Sequence, residues 1–208
     1  MPPTANQLHD LLALLLFSVV ANAAEESICF GSQDNGSLEN GWQLPAIGKN
    51  YSANSDIGVI IGRNYVHSMV YKVVIYAYAK LETQALSKGY VYGESGYKEG
   101  GKFRPHKTHQ NGLSVDFVVP IVDSEGISVK LPTSILNKFG YDIEFVGAGE
   151  YKGLKIDYDA MASHLWALKA LAENNGVKIR RVIFDNEPHR SPHQNPIYNV
   201  SFVNPAYT

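Results

Sequence analysis

The order of its predicted elements indicates an α+β fold with a largely antiparallel central sheet flanked by helices. Helical and strand patterns follow one another in mixed order, whereas strict alternation would indicate a parallel sheet. The chain has 208 residues, of which 45% are hydrophobic and 18% charged, as expected for one globular domain. Its 18 Lys and Arg against 20 Asp and Glu give a net charge of −2. Nothing in this composition indicates electrostatic binding to nucleic acid or to anionic lipid.

The first 23 residues are predicted to be an export signal that is removed. Residues 11–20 are almost entirely apolar, a run shorter than the roughly 20 residues of a membrane-spanning helix. Ala21-Asn22-Ala23 follows and has the pattern of a signal-peptidase site. The first ten residues lack the Lys or Arg that such signals carry, so a short core segment is the alternative. The single cysteine excludes an internal disulfide framework and a cysteine-rich metal cluster.

The first half of the mature chain is predicted to contain loops, one helix and one short strand. Residues 29–55 are rich in Gly, Asn, Ser and Asp, which favours loops with short extended pieces. From residue 64 to 86, apolar side chains recur at the spacing of one helix face. Gly89 ends this helix, residues 90–92 are predicted to form a strand, and residues 93–105 an exposed Gly-rich loop.

The second half is predicted to contain three strands and a helix. Residues 113–122 have the apolar content of a strand buried on both faces, and residues 141–146 alternate as a half-buried strand does. Asp159 is predicted to cap a helix that ends at Asn175. Residues 177–185 are predicted to form the third strand.

Asp116 lies within the predicted buried strand and needs a partner, because an unpaired buried carboxylate costs several kcal/mol. Asn111-Gly112 is a strong hairpin pattern, since both residues tolerate the positive φ of a type I′ turn. A hairpin at this turn would make His109 and Asp116 diagonal neighbours on one face, about 7–8 Å apart. Together they could bind one metal ion. In the same register Lys107 lies opposite Asp116, so a simple salt bridge is the alternative.

Residues 90–117 carry a motif in which a Gly-rich loop precedes His-x-x-His-Gln-x-Gly-Leu-x-Val-Asp, from His106 to Asp116. This segment resembles the penicillin-insensitive murein endopeptidases. They are related to zinc D-alanyl-D-alanine carboxypeptidases, to lysostaphin-like endopeptidases and to the hedgehog signalling domain, a group that shares a His followed seven positions later by Asp. A weaker likeness extends over residues 41–185. The resemblance implies a hedgehog- or D-Ala-D-Ala-peptidase-like version of the α+β fold.

The resemblance implies a zinc peptidase of the bacterial cell wall. His109 and Asp116 would be zinc ligands, a C-terminal His would be the third, and one coordination position would be left for water. Zinc would lower the pKa of that water and polarise the scissile carbonyl. The partners would be the peptide stems of peptidoglycan, and the protein would be periplasmic or secreted.

His106, Glu94 and the pair Gly100-Gly101 match further positions of the same family. His106 matches an active-site position and is interpreted as catalytic, although the hairpin register puts it on the opposite face from His109. Glu94 and the two glycines match a loop that forms one wall of the cleft. A solvated loop is the alternative for Glu94, Gly100 and Gly101.

Residues 186–208 depart from the family pattern, in which the last strand carries the third ligand and a catalytic His and ends His-x-His. Four prolines interrupt this tail, so we expect it to be poorly ordered or packed without regular structure. His189 and His193 are its candidate ligands, and Glu187 is a candidate base on chemical grounds. Either the tail supplies a third ligand in a divergent way, or the reading frame changes near Asp185 and the last strand is lost.

Three functions follow from these patterns. The first is a zinc-dependent murein endopeptidase whose activity the atypical C-terminus reduces. The second is a non-catalytic protein that keeps the fold and binds peptidoglycan or another partner. The third is a carboxypeptidase that releases terminal D-alanine.

Overall fold

The computed structural model describes residues 25–84, 87–184 and 193–203, with the backbone alone at residues 193 and 194. This part of the chain is a mixed α+β structure with antiparallel sheets, which confirms the predicted fold class at that level. The predicted export signal, residues 1–23, lies outside the described residues. Within the described ranges, no helix combines the length and the apolar character needed to cross a membrane.

The described elements are three helices, a 3₁₀ segment and short strands. The helices are α1 (Asp56–Ile60), α2 (Ser68–Gln84) and α3 (Tyr158–Asn174), and the 3₁₀ segment is Ile135–Gly140. The strands are β1 (Ile28–Gly31), β2 (Gly36–Glu39), β3 (Trp42–Gln43), β4 (Tyr51–Ala53), β5 (Tyr65–Val66), β6 (Tyr90–Tyr92), β7 (Ser114–Val118), β8 (Ile121–Val122), β9 (Ser128–Val129), β10 (Phe145–Val146), β11 (Glu150–Tyr151), β12 (Leu154–Ile156), β13 (Lys178–Phe184), β14 (His193–Gln194) and β15 (Ile197–Val203).

The central sheet has the strand order β13-β15-β7-β6-β4. Its neighbours are antiparallel except for the parallel pair β4 and β6. All five residues of β7 are buried, as predicted from its apolar composition. The register between β7 and β15 sets Asn199 directly opposite Asp116, and this pair lies at the candidate site.

The prediction that the C-terminal tail lacks regular structure is wrong for residues 193–203. β15 lies between β13 and β7 and pairs with both. Prolines at 196 and 205 flank the strand and leave its own run of residues unbroken, so the ladder loses no N–H group within it. The carbonyl of Pro196 accepts a hydrogen bond from the Val119 N–H at 2.7 Å. The chain therefore has a strand at this position, but the strand lacks His-x-His.

Two of the predicted strands are shorter than expected. Residues 113–122 do not form one strand but two, β7 and β8, which belong to different sheets. Pro120 lies between them and has no N–H group to donate to a continuous ladder. Of residues 141–146, only Phe145–Val146 are in a strand, because the preceding residues follow the 3₁₀ segment.

The two long helices pack against each other and have the predicted amphipathic pattern. α2 begins at Ser68 because Tyr65–Val66 form β5. The predicted cap of α3 is wrong by two residues. Asp157 is the N-cap, and its carboxylate accepts a hydrogen bond from the Ala160 N–H at 2.9 Å, whereas Asp159 lies in the first turn.

An aromatic cluster joins both helices to the central sheet. His164 of α3 stacks on Tyr78 of α2, with ring centroids 5.2 Å apart. The same imidazole packs edge-on against Phe117 of β7, and its Nδ1 lies 2.5 Å from the hydroxyl of Tyr198 on β15. The cluster fixes the strands β7 and β15 in the core, and these strands carry the candidate site.

Candidate metal centre

His109 and Asp116 converge, as the sequence predicts. His109 Nε2 lies 3.3 Å from Asp116 Oδ1, and the two residues are only 1% and 4% exposed. Two ligand atoms of a tetrahedral zinc ion, each about 2.0–2.1 Å from the metal, lie about 3.3–3.4 Å apart. The separation found here fits two ligands of one ion, and it also fits a hydrogen bond from a protonated imidazole.

The route by which they converge differs from the prediction. Residues 107–110 form an irregular loop and do not pair with β7 as a hairpin. His109 itself has a φ of 77° and Gly112 one of 73°, and these two left-handed residues return the chain to β7. The position opposite Asp116 belongs to Asn199, so the alternative salt bridge with Lys107 does not form.

The orientation of His109 leaves its Nε2 unprotonated in the neutral ring. Its Nδ1 lies 3.1 Å from the carbonyl oxygen of Ser114. Because a carbonyl only accepts hydrogen bonds, Nδ1 carries the proton and donates it. The lone pair of Nε2 then faces the Asp116 carboxylate, and two acceptors at this distance require a cation between them, either a proton or a metal ion.

The pKa directions of this pair have opposing causes. Burial lowers the pKa of His109, but the adjacent Asp116 carboxylate outweighs burial and raises it above its ordinary value. Burial raises the pKa of Asp116, but His109 and the Asn199 amide outweigh this effect and lower it. The site therefore favours a cation at His109 Nε2 beside an ionised carboxylate.

His106 also reaches the centre. Its Nδ1 lies 3.9 Å from Asp116 Oδ2, and one ligand atom from each of His106, His109 and Asp116 lies within 4.8 Å of the other two. The hairpin register put His106 on the opposite face, and that expectation is wrong because the segment is a loop. The three residues lie close enough together to bind a metal ion.

Glu94 orients His106 from behind, and Arg63 orients Glu94. Glu94 Oε2 lies 2.8 Å from His106 Nε2, and both carboxylate oxygens of Glu94 accept hydrogen bonds from the Arg63 guanidinium. That guanidinium lies over the Phe103 ring, 4.0 Å from its centroid. Burial raises the pKa of Glu94, but His106 and Arg63 outweigh burial and lower it. A carboxylate that binds the far nitrogen of a metal-binding His is a recurrent feature of zinc sites.

Gly100 and Gly101 have a structural role beside the centre. Their φ values are 68° and 81°, and the Gly101 N–H donates to the carbonyl of Gln110 at 2.9 Å. A Cβ at Gly100 would lie 2.2 Å from that same carbonyl oxygen. The two glycines therefore let the loop approach the segment that carries His109, rather than forming a freely solvated loop.

Two further residues of the centre, Tyr141 and Asn199, were not predicted from the sequence. The Tyr141 hydroxyl donates to Asp116 Oδ2 at 2.9 Å, and Asn199 Nδ2 donates to Asp116 Oδ1 and to Ser114 Oγ, each at 2.8 Å. Burial and then the neighbouring Asp116 raise the pKa of Tyr141, so its hydroxyl stays protonated and remains a donor. The alternation of polar Asn199 and Ser201 in the otherwise apolar β15 could have indicated Asn199, whereas no pattern indicated Tyr141.

The proposed ligands of the C-terminal tail are not placed at the centre. His189 and Glu187 lie outside the described residues. His193 belongs to β14, which pairs with β10 in the second sheet, and only its backbone is described. On the last strand, the residue that faces Asp116 is Asn199.

A cavity of 540 Å³ opens beside the centre. His106, Glu94 and Tyr141 line it, and α1 and the 3₁₀ segment supply much of the remaining wall. Of the three candidate ligands only His106 is among the lining residues, and the cavity beside it is large enough for a ligand.

Comparisons of this chain with protein-family models and with curated proteins found no match. The interpretation of the centre therefore depends on its own residues and their geometry.

Proposed function

We propose that this protein is a zinc-dependent peptidase that acts on peptide cross-links of the bacterial cell wall after export to the periplasm or the medium. The observation that carries the proposal is the convergence of His106, His109 and Asp116, of which His106 lines an open cavity. The motif between residues 106 and 116 supports the choice of substrate.

The donor set supports zinc. Two imidazoles and one carboxylate are the nitrogen and oxygen ligands that zinc binds in catalytic sites, where three protein ligands leave a fourth position for water. Both imidazoles have their far nitrogen held, His109 by the Ser114 carbonyl and His106 by Glu94, so their ligating atoms are already oriented. In this assignment His106 is the third ligand, in place of the C-terminal His that the resemblance implies.

Zinc bound here would lower the pKa of a bound water and polarise the carbonyl of the bond to be cleaved. The protein supplies orientation and proton control. Asp116 stays ionised, held by Asn199 and Tyr141. Tyr141 lines the cavity and donates its single hydroxyl proton to Asp116 Oδ2, so it helps to keep this carboxylate ionised and oriented.

A specific observation supports a second function, that of a non-catalytic protein that binds peptidoglycan. β15 presents Asn199 and Ser201 toward the centre, where the family pattern has His-x-His. Neither an amide nor a hydroxyl that is already hydrogen-bonded can accept a proton from an attacking water as an imidazole can. A chain of this kind could keep the cleft and bind the polymer without cleaving it.

The test compares the full chain with Asp116→Ala, and with Asp159→Ala as a control at an exposed carboxylate in the first turn of α3. We expect the parent chain and the control to bind one zinc ion and to release cross-linked muropeptides, and Asp116→Ala to lose both properties. Metal content after dialysis and chromatography of digested sacculi are the readouts, with free D-alanine measured to detect carboxypeptidase action. Equal zinc occupancy in all three proteins would refute the site. Binding to sacculi without cleavage at saturating zinc would establish the second function instead.

A further inference from the structure

A second cavity, of 480 Å³, adjoins the metal centre at His106. Its charged lining residues are Lys102, Arg104 and Lys107, from the segment that carries His106, and Asp34, from the loop between β1 and β2. We call it the cationic cavity. Because His106 is both a candidate ligand and a lining residue, a group bound in this cavity lies next to the metal centre.

The cationic cavity has an excess of positive charge. Three cations face one carboxylate, which is a local charge of +2 in a chain whose net charge is −2. Within the described ranges, none of the three cations takes part in an ion pair. The Asp34 carboxylate accepts a hydrogen bond from the Ser32 hydroxyl at 2.5 Å. A concave surface with an excess of one charge concentrates ligands of the opposite charge.

The backbone that carries these cations is held in place. The Arg63 guanidinium donates to the carbonyl of Arg104 at 2.9 Å. The Gln110 side-chain amide donates to the carbonyl of Lys107 at 3.2 Å and to that of Asp34 at 2.8 Å. These bonds tie both sides of the cavity wall together. An anion bound there therefore orders only side chains, which lowers the entropic cost of binding.

The charges that line the 540 Å³ cavity are mostly paired already. Both carboxylate oxygens of Glu94 accept hydrogen bonds from Arg63, and Lys138 pairs with Asp142 at 2.9 Å. Arg104 lines both cavities. Of the two cavities that His106 lines, the cationic cavity thus has the larger excess of unpaired positive charge.

We propose that the cationic cavity binds a free carboxylate of the ligand, on a residue next to the bond that the metal centre would hold. The ligand is then an anionic peptide, and conversion of this carboxylate to an amide weakens its binding. The inference rests on the proposed function for the peptide nature of the ligand, and it adds the group by which that peptide is selected. Stem peptides of the cell wall, which carry free carboxylates, have this chemistry.

The first experiment measures binding to the full chain by calorimetry. The probes are N-acetyl-D-alanyl-D-alanine and its C-terminal amide, which differ only in the carboxylate. Each is titrated with zinc and again with a chelator, because a carboxylate can also bind the metal directly. We expect the acid to bind on the order of fivefold more tightly than the amide at low salt under both conditions, and added salt to reduce this ratio. Equal affinities, or a preference for the acid only with zinc, would overturn the inference.

The second experiment changes the charge of the cavity in both directions. Lys107→Gln removes a cation, whereas Asp34→Asn removes the opposing carboxylate and can still accept the hydrogen bond of Ser32. We expect the acid-to-amide ratio of affinities to fall about twofold in the first variant and to rise about twofold in the second. Lys80→Gln on α2 and Asp159→Asn on α3 are the controls, since they make the same charge changes at exposed positions outside the cavity. Shifts of equal size in variants and controls would reflect net charge alone and would overturn the inference.

A third measurement separates this inference from the proposed function. Native sacculi are compared with sacculi whose carboxylates have been converted to amides. A preference for the acid that depends on Lys107, without release of muropeptides from either material, supports the inference and counts against a peptidase. Release of muropeptides from both materials at equal rates overturns the inference and leaves the peptidase intact.

Discussion

At the scale of single residues, the centre depends on hydrogen bonds to the far side of each ligand. The Ser114 carbonyl fixes the ring of His109, and Glu94 fixes the ring of His106. Glu94 is fixed in turn by the Arg63 guanidinium. Such supporting groups maintain the orientation and basicity of ligands, so their loss weakens metal binding without removing a ligand.

Glu94→Gln tests this support. The amide can no longer accept hydrogen bonds from Arg63 and His106 together, because one of its ends is a donor. We expect zinc affinity to fall about 10–100-fold, measured by competition with a zinc-binding dye. Glu82→Gln is the control, since Glu82 pairs with Lys49 on the surface, and it should leave the affinity unchanged. An unchanged affinity in Glu94→Gln would show that His106 does not bind the metal.

Asn199→His tests the position on β15 opposite Asp116. An imidazole there would add a zinc ligand where the present amide donates hydrogen bonds to Asp116 and Ser114. We expect zinc affinity to rise about tenfold or more and hydrolysis of muropeptides to increase. Asn199→Ala is the matched control, because it removes the amide without adding a ligand and should not raise the affinity. A lower affinity in both variants would show that an added ligand cannot reach the centre.

At the scale of elements, the loop before β7 replaces the predicted hairpin. The hairpin pattern at Asn111-Gly112 correctly predicts a reversal, and Gly112 has the positive φ that such a reversal needs. The partner strand does not form, because β7 pairs instead with β6 and β15. Both edges of β7 are then occupied, and residues 107–110 cross its end as an irregular loop.

Gly112→Ala should destabilise the protein and displace His109. A Cβ at this position would lie 2.6 Å from the His67 N atom, in addition to the strain of a positive φ. Gly126→Ala is the control, because Gly126 has a φ of 80° but no atom near the added carbon. We expect Gly112→Ala to lower the free energy of unfolding by about 1–3 kcal/mol more than the control does, as measured in urea. Equal losses of unfolding free energy in the two variants would mean that the loop shifts to accommodate the added Cβ and would contradict the prediction.

At the scale of the whole molecule, the aromatic cluster holds the helices against the sheet that carries the centre. His164 lies in the middle of this cluster and is 1% exposed. Its Nε2 has no hydrogen-bond partner among the described residues. Burial lowers the pKa of His164 to about 3, so the folded protein keeps this ring neutral.

This burial predicts acid sensitivity. Below an ordinary pKa of about 6.5 the unfolded chain protonates this histidine and the folded chain does not, so stability falls as the pH drops, by up to about 1.4 kcal/mol per pH unit. His164→Gln removes the titrating group and can still bond the Tyr198 hydroxyl. Between about pH 7 and about pH 4.5 we expect the variant to lose about 2–3 kcal/mol less than the parent chain, measured by urea unfolding. His67→Gln should act in the same direction, since burial lowers the pKa of His67 to about 4. Parallel pH profiles of parent and His164→Gln would contradict the prediction.

The sequence by itself determined the elements that local patterns define. The spacing of apolar residues predicted α2 and α3, the apolar run at residue 113 predicted β7, and the buried carboxylate of Asp116 predicted a partner close in the chain, with His109 and Lys107 as the candidates. Each of these inferences depends on residues close together in the chain, where the backbone geometry of helix or strand limits what neighbours can do.

Only the tertiary structure decided the contacts between distant segments. Asn199 reaches Asp116 because β15 enters the sheet beside β7, and Tyr141 reaches it from a 3₁₀ segment that no periodicity marks. The contacts of Glu94 and Arg63 behind His106 were likewise decided only by the tertiary structure. Such contacts are fixed by packing across the whole core, and a single sequence carries no local pattern that specifies which of many distant residues fills the space beside a given side chain.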